Sequence, residues 1–139
     1  AAGAKSILEL KEHDLGTDDG GYFLSPHLLA GDDSNICCRE EIFGPTAYIM
    51  RFSDEQEAVN NVNQLHYGLA NSIWTQDIEK AGRMAEKLVA GNNWINAHNV
   101  FAYGLPYGGM QWSGIGGGVN SLSTYNDYLR STTIARPLA

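Results

Sequence analysis

The fold is constrained most by an alternation of strand-like and helix-like patterns from residue 46 to residue 96. Residues 46–52 (TAYIMRF) are rich in aromatic and β-branched side chains, which favours a strand. Ser53 and Gln56 have the spacing of a capping box, and Gly68 stands where the predicted helix would stop. Between them, apolar side chains recur at helical spacing at Ala58, Val59, Val62 and Leu65.

The same pattern is repeated in the next segment. Residues 72–75 (SIWT) are predicted as a short strand, Asp77 as the N-cap of a second helix, and residues 93–96 (NWIN) as a third strand. The second helix carries one apolar stripe, at Ile78, Ala81, Met84, Ala85 and Leu88. Strands that alternate with helices of about a dozen residues indicate right-handed crossovers and a parallel sheet. We therefore predict an α/β fold with a parallel-sheet βαβαβ core.

The segment after the third predicted strand, residues 97–118, is dense in glycine and aromatic side chains. Ligands bind at the carboxyl ends of strands in open α/β sheets, and long loops there often carry function. We expect the chemistry of the chain in this loop. Further elements are predicted as an acidic turn at 16–21, a proline-broken strand at 22–29, a weak helix at 120–129 and a terminal strand at 131–137.

The charge balance argues against several classes of partner. The chain has 9 basic and 16 acidic residues, a net charge of −7, and no cluster of Lys or Arg. Phosphate backbones and anionic lipids bind to such clusters, so we expect no nucleic-acid partner and no membrane partner. No apolar run approaches the roughly 20 residues of a membrane-spanning helix, and the N-terminus has no signal-peptide pattern. A cytoplasmic location is predicted.

Local motifs identify no catalytic or metal site. Cys37 and Cys38 are adjacent and enclose no disulfide loop. They are predicted to end an apolar strand just before Glu40 and Glu41, whose charges raise a thiol pKa. A structural role is therefore favoured for them. The glycine run at 114–118 matches neither a dinucleotide fingerprint nor a P-loop, so its glycines are predicted to allow tight turns and close packing. No metal site is predicted, because the histidines are scattered at His13, His27, His66 and His98.

Several residue types leave two interpretations open. Asn96 and His98 follow the third predicted strand, where they either contact a substrate or only stabilise the loop. Glu41 is either a solvated carboxylate or one that binds the vicinal hydroxyls of a ribose. Four aromatic side chains form either a core cluster or the wall of a pocket: Phe101, Tyr103, Tyr107 and Trp112.

Four segments together resemble the successive C-terminal signatures of the NAD(P)-dependent aldehyde dehydrogenase superfamily. In chain order they are 39–45 (REEIFGP), 57–77 (EAVNNVNQLHYGLANSIWTQD), 90–96 (AGNNWIN) and 105–116 (LPYGGMQWSGIG). Several motifs in one order are more specific than any single motif, and the resemblance covers residues 3 to 137. It implies that residues 1–130 are the C-terminal portion of the family's catalytic domain. Residues 131–139 would then be its terminal oligomerisation strand, which implies a homodimer or homotetramer.

The resemblance also implies a reaction and a set of site residues. The family oxidises an aldehyde to a carboxylic acid with NAD or NADP, through a cysteine thiohemiacetal and thioester. Glu41 matches the glutamate that binds the nicotinamide-ribose hydroxyls, and Phe43 matches the phenylalanine beside the nicotinamide. The aldehyde tunnel and its border are implied at Phe101, Tyr107, Asn96 and His98.

The chain departs from the family pattern in three respects. The family has Phe where Tyr107 stands, and its SGxGRE motif appears as SGIGGG at 113–118, without the Arg-Glu pair. By the resemblance, the nucleophilic cysteine, the general base and the dinucleotide-binding domain precede residue 1, so we expect the chain alone to be inactive. No basic side chain lies between Lys87 and Arg130, which favours an apolar or aromatic aldehyde. The alternative is an inactive structural or oligomerisation module.

Overall fold

The computed structural model describes residues 3–9 and 21–138. His13 and the predicted turn at 16–21, apart from Gly21, lie outside the described residues. The chain divides after Asp54 into two compact units.

The first unit contains a three-stranded sheet in the order β1-β2-β3. Its strands are β1 (Lys5–Glu9), β2 (His27–Ala30) and β3 (Thr46–Ile49). β1 is antiparallel to β2, and β2 is parallel to β3. The strand predicted at 22–29 begins only after Pro26, because proline offers no N–H to a ladder.

A short helix, α1 (Ile36–Arg39), lies between β2 and β3 in the sequence. The Asn35 side chain caps it by accepting a hydrogen bond of 2.9 Å from the Cys37 N–H. The expectation that Cys37 and Cys38 end an apolar strand is therefore wrong. The Asn35 cap satisfies a backbone donor locally and so favours a helical turn over a strand.

The second unit contains the elements that follow Asp54. They are α2 (Glu55–Asn63), β4 (Tyr67–Gly68), β5 (Ala70–Ile73), α3 (Ile78–Lys87), β6 (Asn92–Ile95), β7 (Met110–Gln111) and α4 (Leu122–Asp127). β5 and β6 pair in parallel, with Ala70 opposite Asn92 and Ile73 opposite Ile95. α3 connects them, so β5, α3 and β6 form a βαβ unit. β4 and β7 form a second, antiparallel pair.

The core of the second unit lies between its helices and the β5–β6 pair. It consists of Val59, Ile73, Ala81 and Leu88, against which Val62, Met84 and Ala85 pack. Asp77 caps α3, as predicted, by accepting a hydrogen bond of 2.9 Å from the Lys80 N–H. The predicted apolar stripe is thus the buried face of α3, except that Ile78, at the first helical position, is 62% exposed.

The α/β class and the parallel pairing of strands are confirmed, with a difference in connectivity. The parallel partner of β3 is β2, and β3 and the β5–β6 pair belong to different sheets among the described residues, so the three predicted strands form only part of the predicted βαβαβ sheet. Residues 131–137 are exposed and pair as a strand with no other described residue. A strand at that position requires a partner from outside the described chain. No described helix is long and apolar enough to span a bilayer; the longest, α3, has 10 residues.

Candidate functional site

The loop that follows β6 folds back so that its aromatic side chains meet Trp94. The Phe101 and Tyr107 rings contact each other edge to face, with centroids 4.8 Å apart. Trp94 meets Phe101 edge to face at 6.1 Å and stacks against Tyr107 at 6.3 Å. These distances are within the range of favourable aromatic pairs. We call Trp94, Phe101 and Tyr107 the aromatic cluster.

Trp94 is the member of this cluster that the sequence reasoning missed. It lies in β6 opposite Ser72 of β5, and its indole N–H donates a hydrogen bond of 2.9 Å to the Val100 carbonyl. That bond ties the loop back to the strand, because a half-buried indole N–H needs an acceptor. The available signal was a tryptophan in the last predicted strand, directly before the glycine- and aromatic-rich loop.

His98 lies at the edge of the aromatic cluster. Its ring meets Trp94 at a centroid distance of 5.4 Å, and its Nδ1 is 2.8 Å from the Ser72 hydroxyl oxygen, in a hydrogen bond. The residue as a whole is exposed. His98 therefore has a ring held by Ser72 and Trp94, and its second ring nitrogen, Nε2, can still form a hydrogen bond.

Asn96 does not point into the aromatic cluster. Its side-chain oxygen accepts a hydrogen bond from the Thr75 N–H, and its side-chain nitrogen donates one to the Thr75 carbonyl, both at 2.9 Å. The residue has a φ of 50°, a left-handed conformation that asparagine tolerates better than most residues. Asn96 thus joins the end of β6 to the end of β5 and starts the loop, so its direct role here is structural.

The remaining two predicted aromatic residues lie apart from the cluster. Trp112 stacks on His66 with centroids 4.5 Å apart and meets Tyr67 edge to face at 6.0 Å. Tyr103 is fully exposed. It lies at a cavity of about 630 Å³ whose wall also includes Pro106 and Tyr125. The four aromatic side chains therefore form no single cluster.

The glycine run packs closely against the loop, as predicted. Tyr107 and Val119 form an antiparallel bridge through two backbone hydrogen bonds of 2.9 and 2.8 Å. Gly118 has a φ of 74°, and a Cβ there would collide with the Tyr107 carbonyl. A Cβ on Gly108 would come within 2.9 Å of the Gly118 Cα. Only glycine allows the two backbone segments to approach in this way.

Glu41 and Phe43 lie in the first unit, in the connection between α1 and β3. The Glu41 side chain is exposed and forms no hydrogen bond or ion pair among the described residues, and Phe43 is 94% exposed. The connection itself is held by backbone bonds: Gly44 N–H to the Ile42 carbonyl at 2.9 Å, and His27 N–H to the Pro45 carbonyl at 2.9 Å. An available carboxylate and an available ring, two residues apart on a fixed connection, suit a sugar diol and a flat heterocycle.

The two cysteines have the character of structural residues. Both are free thiols and partly buried. Burial raises the pKa of the Cys38 thiol, and the negative charge of Asp33 raises it further, against a smaller lowering by Arg39. The acidic neighbours that raise the Cys38 pKa are therefore Asp33 and, with a smaller effect, Asp32, rather than the predicted Glu40 and Glu41. The described residues contain no group of three or more His, Cys, Asp or Glu side chains that could hold a metal ion.

Comparisons with known proteins relate the chain to dehydrogenases of aldehydes. A 2-aminomuconic semialdehyde dehydrogenase from Danio rerio is 39% identical over 118 residues, which are 83% of this chain and 24% of that protein. A betaine aldehyde dehydrogenase from Mesorhizobium japonicum is 36% identical over 126 residues, which are 86% of this chain and 26% of that protein. The chain thus spans about a quarter of the length of these relatives.

Solved structures give the same relation. An indole-3-acetaldehyde dehydrogenase in complex with NAD+ matches with a TM-score of 0.81 and 32% identity, over 91% of this chain and 25% of that one. A Staphylococcus aureus betaine aldehyde dehydrogenase in complex with NAD+ matches with a TM-score of 0.75 and 35% identity, over 89% of this chain and 25% of that one. The model of the aldehyde dehydrogenase family matches residues 1–134. The chain therefore belongs to the aldehyde dehydrogenase family.

Proposed function

We propose that the protein containing this sequence oxidises an aldehyde to a carboxylic acid with NAD or NADP, and that this chain supplies cofactor and substrate contacts. The observation that carries the proposal is the aromatic cluster at the carboxyl end of β6, in a chain of this family. In parallel sheets, that end of a strand is where ligands bind. The related structures solved with NAD+ support the choice of cofactor class.

The first unit contributes the cofactor contact in this proposal. The Glu41 carboxylate accepts hydrogen bonds from the two hydroxyls of the nicotinamide ribose, and the exposed Phe43 ring limits the movement of the nicotinamide. When bound, the cofactor supplies a hydride acceptor. Holding its sugar and ring in one geometry increases the fraction of time in which that acceptor is correctly placed.

The second unit contributes the aldehyde contact. Phe101 is 53% exposed, so its ring is available as an apolar wall. Its ring also packs against Trp94 and Tyr107, which hold it in place. The tyrosine at position 107 adds a hydroxyl to this wall, and the exposed His98 adds a further polar group. A wall of this kind favours an apolar or aromatic aldehyde over one that carries a carboxylate.

The terminal segment is proposed to mediate assembly. Residues 131–138 are exposed, and within them Ile134 is 92% and Leu138 98% exposed. An extended segment with apolar side chains pairs readily with a sheet edge of a second subunit. We propose a homodimer or homotetramer formed in part by this segment. A cytoplasmic location stays a prediction from the sequence.

The proposal is tested with the full-length protein and a panel of aldehydes, by following NADH or NADPH formation. The wild-type protein is expected to oxidise aromatic or apolar aldehydes. The variant Phe101→Ala is expected to lose about tenfold in kcat/KM for aromatic aldehydes relative to short ones, since it removes most of the wall. Tyr103→Ala, which removes a fully exposed aromatic side chain outside the cluster, is the matched control and should keep the wild-type selectivity.

Two results would count against this account in different ways. If the wild-type protein reduces neither cofactor with any aldehyde, the alternative of an inactive structural or oligomerisation module is supported. If Phe101→Ala retains the wild-type preference across the panel, Phe101 does not line the aldehyde site.

A further inference from the structure

The glycine turn at residues 116–118 connects α4 to the aromatic cluster, and we propose that Asp127 is a positioning residue for Tyr107 that acts through this turn. The consequence for aldehyde selectivity rests on the function proposed above. The structural connection between Asp127 and Tyr107 does not depend on that function, because it follows from hydrogen bonds and close backbone contacts alone.

The first link joins α4 to the turn. The Asp127 carboxylate oxygen Oδ2 accepts a hydrogen bond of 2.7 Å from the Gly117 N–H. Thr124, three residues earlier on the same helix, donates its hydroxyl to the Gly118 carbonyl at 2.7 Å. A hydrogen bond to a carboxylate is stronger than one between neutral groups. α4 therefore fixes both a donor and an acceptor of the turn.

The second link joins the turn to Tyr107. Val119, the residue after the turn, exchanges two backbone hydrogen bonds with Tyr107, at 2.8 and 2.9 Å. Gly118 also lies so close to Tyr107 that a Cβ built on it would collide with the Tyr107 carbonyl, so the two backbone segments are in direct contact. A displacement of the turn is therefore transmitted to the Tyr107 backbone.

The third link is the Tyr107 ring itself. It contacts both Phe101 and Trp94, with centroid distances of 4.8 and 6.3 Å. A change in the Tyr107 backbone moves this ring and, with it, the support of the exposed Phe101 ring. The Asp127 carboxylate thus influences the shape of the aromatic cluster without contacting it.

The turn in this conformation has no space for larger residues. A Cβ at position 117 would collide with Ser123, and one at position 118 would collide with the Tyr107 carbonyl, where φ is also 74°. A side chain at either position would require a different turn, so the hydrogen bond between the Gly117 N–H and Asp127 depends on the glycines that this chain has there.

The test compares three variants of the full-length protein. Asp127→Ala removes the acceptor, Asp127→Asn keeps an acceptor oxygen in the same place, and Asn126→Ala removes an adjacent exposed side chain that forms no hydrogen bond among the described residues. The first readout is the ratio of KM values for aromatic and short aldehydes, with kcat and the KM for the cofactor measured beside it. The second is amide hydrogen exchange at Tyr107 and Val119, which requires no activity.

We expect Asp127→Ala to raise KM for aromatic aldehydes about fivefold, with kcat and the cofactor KM unchanged, and to speed exchange at Tyr107 and Val119 by a similar factor. Asp127→Asn should recover most of both effects, and Asn126→Ala should show neither. Unchanged exchange at Tyr107 and Val119 in Asp127→Ala overturns the inference, whatever the kinetics. Faster exchange with unchanged aldehyde KM values overturns the selectivity consequence. A wild-type protein without aldehyde activity contradicts only the proposed function, since the exchange measurement still decides the connection.

Discussion

Replacement of Asn96 by glycine and by alanine separates two contributions to the start of the aromatic loop. Asn96 forms two side-chain hydrogen bonds to the Thr75 backbone, both at 2.9 Å, and has a φ of 50°. Both bonds are exposed, so each contributes about 0.5–1 kcal/mol, and their joint loss costs about 1–2 kcal/mol. Alanine in a left-handed conformation adds about 1 kcal/mol, which glycine avoids.

The assay is native-state amide hydrogen exchange at Thr75, whose N–H loses its acceptor in both variants. Asn96→Gly is expected to speed exchange there about 5- to 30-fold, and Asn96→Ala about fivefold more. Asn99→Ala is the matched control, because Asn99 has a φ of 53° but no side-chain hydrogen bond among the described residues. The Asn99→Ala variant should leave the rate of amide exchange at Thr75 unchanged. Wild-type exchange at Thr75 in Asn96→Gly would refute the contribution of the two hydrogen bonds, and equal effects of glycine and alanine would refute the backbone contribution.

Two further predictions concern stability and thiol reactivity. Leu88→Ala should destabilise the second unit by about 2–5 kcal/mol, because Leu88 is 8% exposed and lies in its core. Leu122 is 81% exposed, so Leu122→Ala should change the free energy of unfolding by less than about 0.5 kcal/mol. Equal shifts of the two variants in thermal unfolding would contradict this prediction. Cys38 should be alkylated with a pH dependence centred above that of an unperturbed thiol, because burial and Asp33 favour its neutral form. The contribution of the neutral Cys38 thiol to stability is then fully present below the pKa of the thiol in the unfolded chain. It is lost as the pH rises through the higher pKa of the thiol in the folded chain. A Cys38 side chain that is deprotonated at neutral pH would contradict this prediction.

The elements that depend on local periodicity could be predicted from the sequence. The apolar stripe of α3, its Asp77 cap and the parallel β5–β6 pair follow from helical spacing and from strand signals a helix apart. The role of Asn35 was not predicted, because one side-chain hydrogen bond to a backbone N–H outweighs the strand preference of the residues that follow. The pairing of β2 with β3 was not predicted either, since parallel partners are chosen by long-range contacts that periodicity does not encode.

The residues of the candidate site could also be predicted only in part from the sequence. Phe101, Tyr107 and His98 were placed in one loop from residue types, and they do meet around one strand. Trp94 was missed because its strand was considered only for its place in the sheet and not for the side chains that it presents to the loop. The register places Trp94 opposite Ser72. Asn96 was assigned to the border of the site, whereas its amide is occupied by Thr75. The partner of a polar side chain depends on the three-dimensional pairing of two strand ends, which the local pattern does not contain.

The central claim is that the Glu41 carboxylate holds the nicotinamide ribose, and single-turnover formation of NADH or NADPH by full-length Glu41→Gln tests it most directly. Glu40→Gln is the matched control, because Glu40 is the adjacent exposed carboxylate and has no role in the proposal. Loss of a charged acceptor is expected to slow hydride transfer about tenfold or more in Glu41→Gln and to leave Glu40→Gln at the wild-type rate. A wild-type rate of hydride transfer in Glu41→Gln, or an equal loss in both variants, would contradict the account.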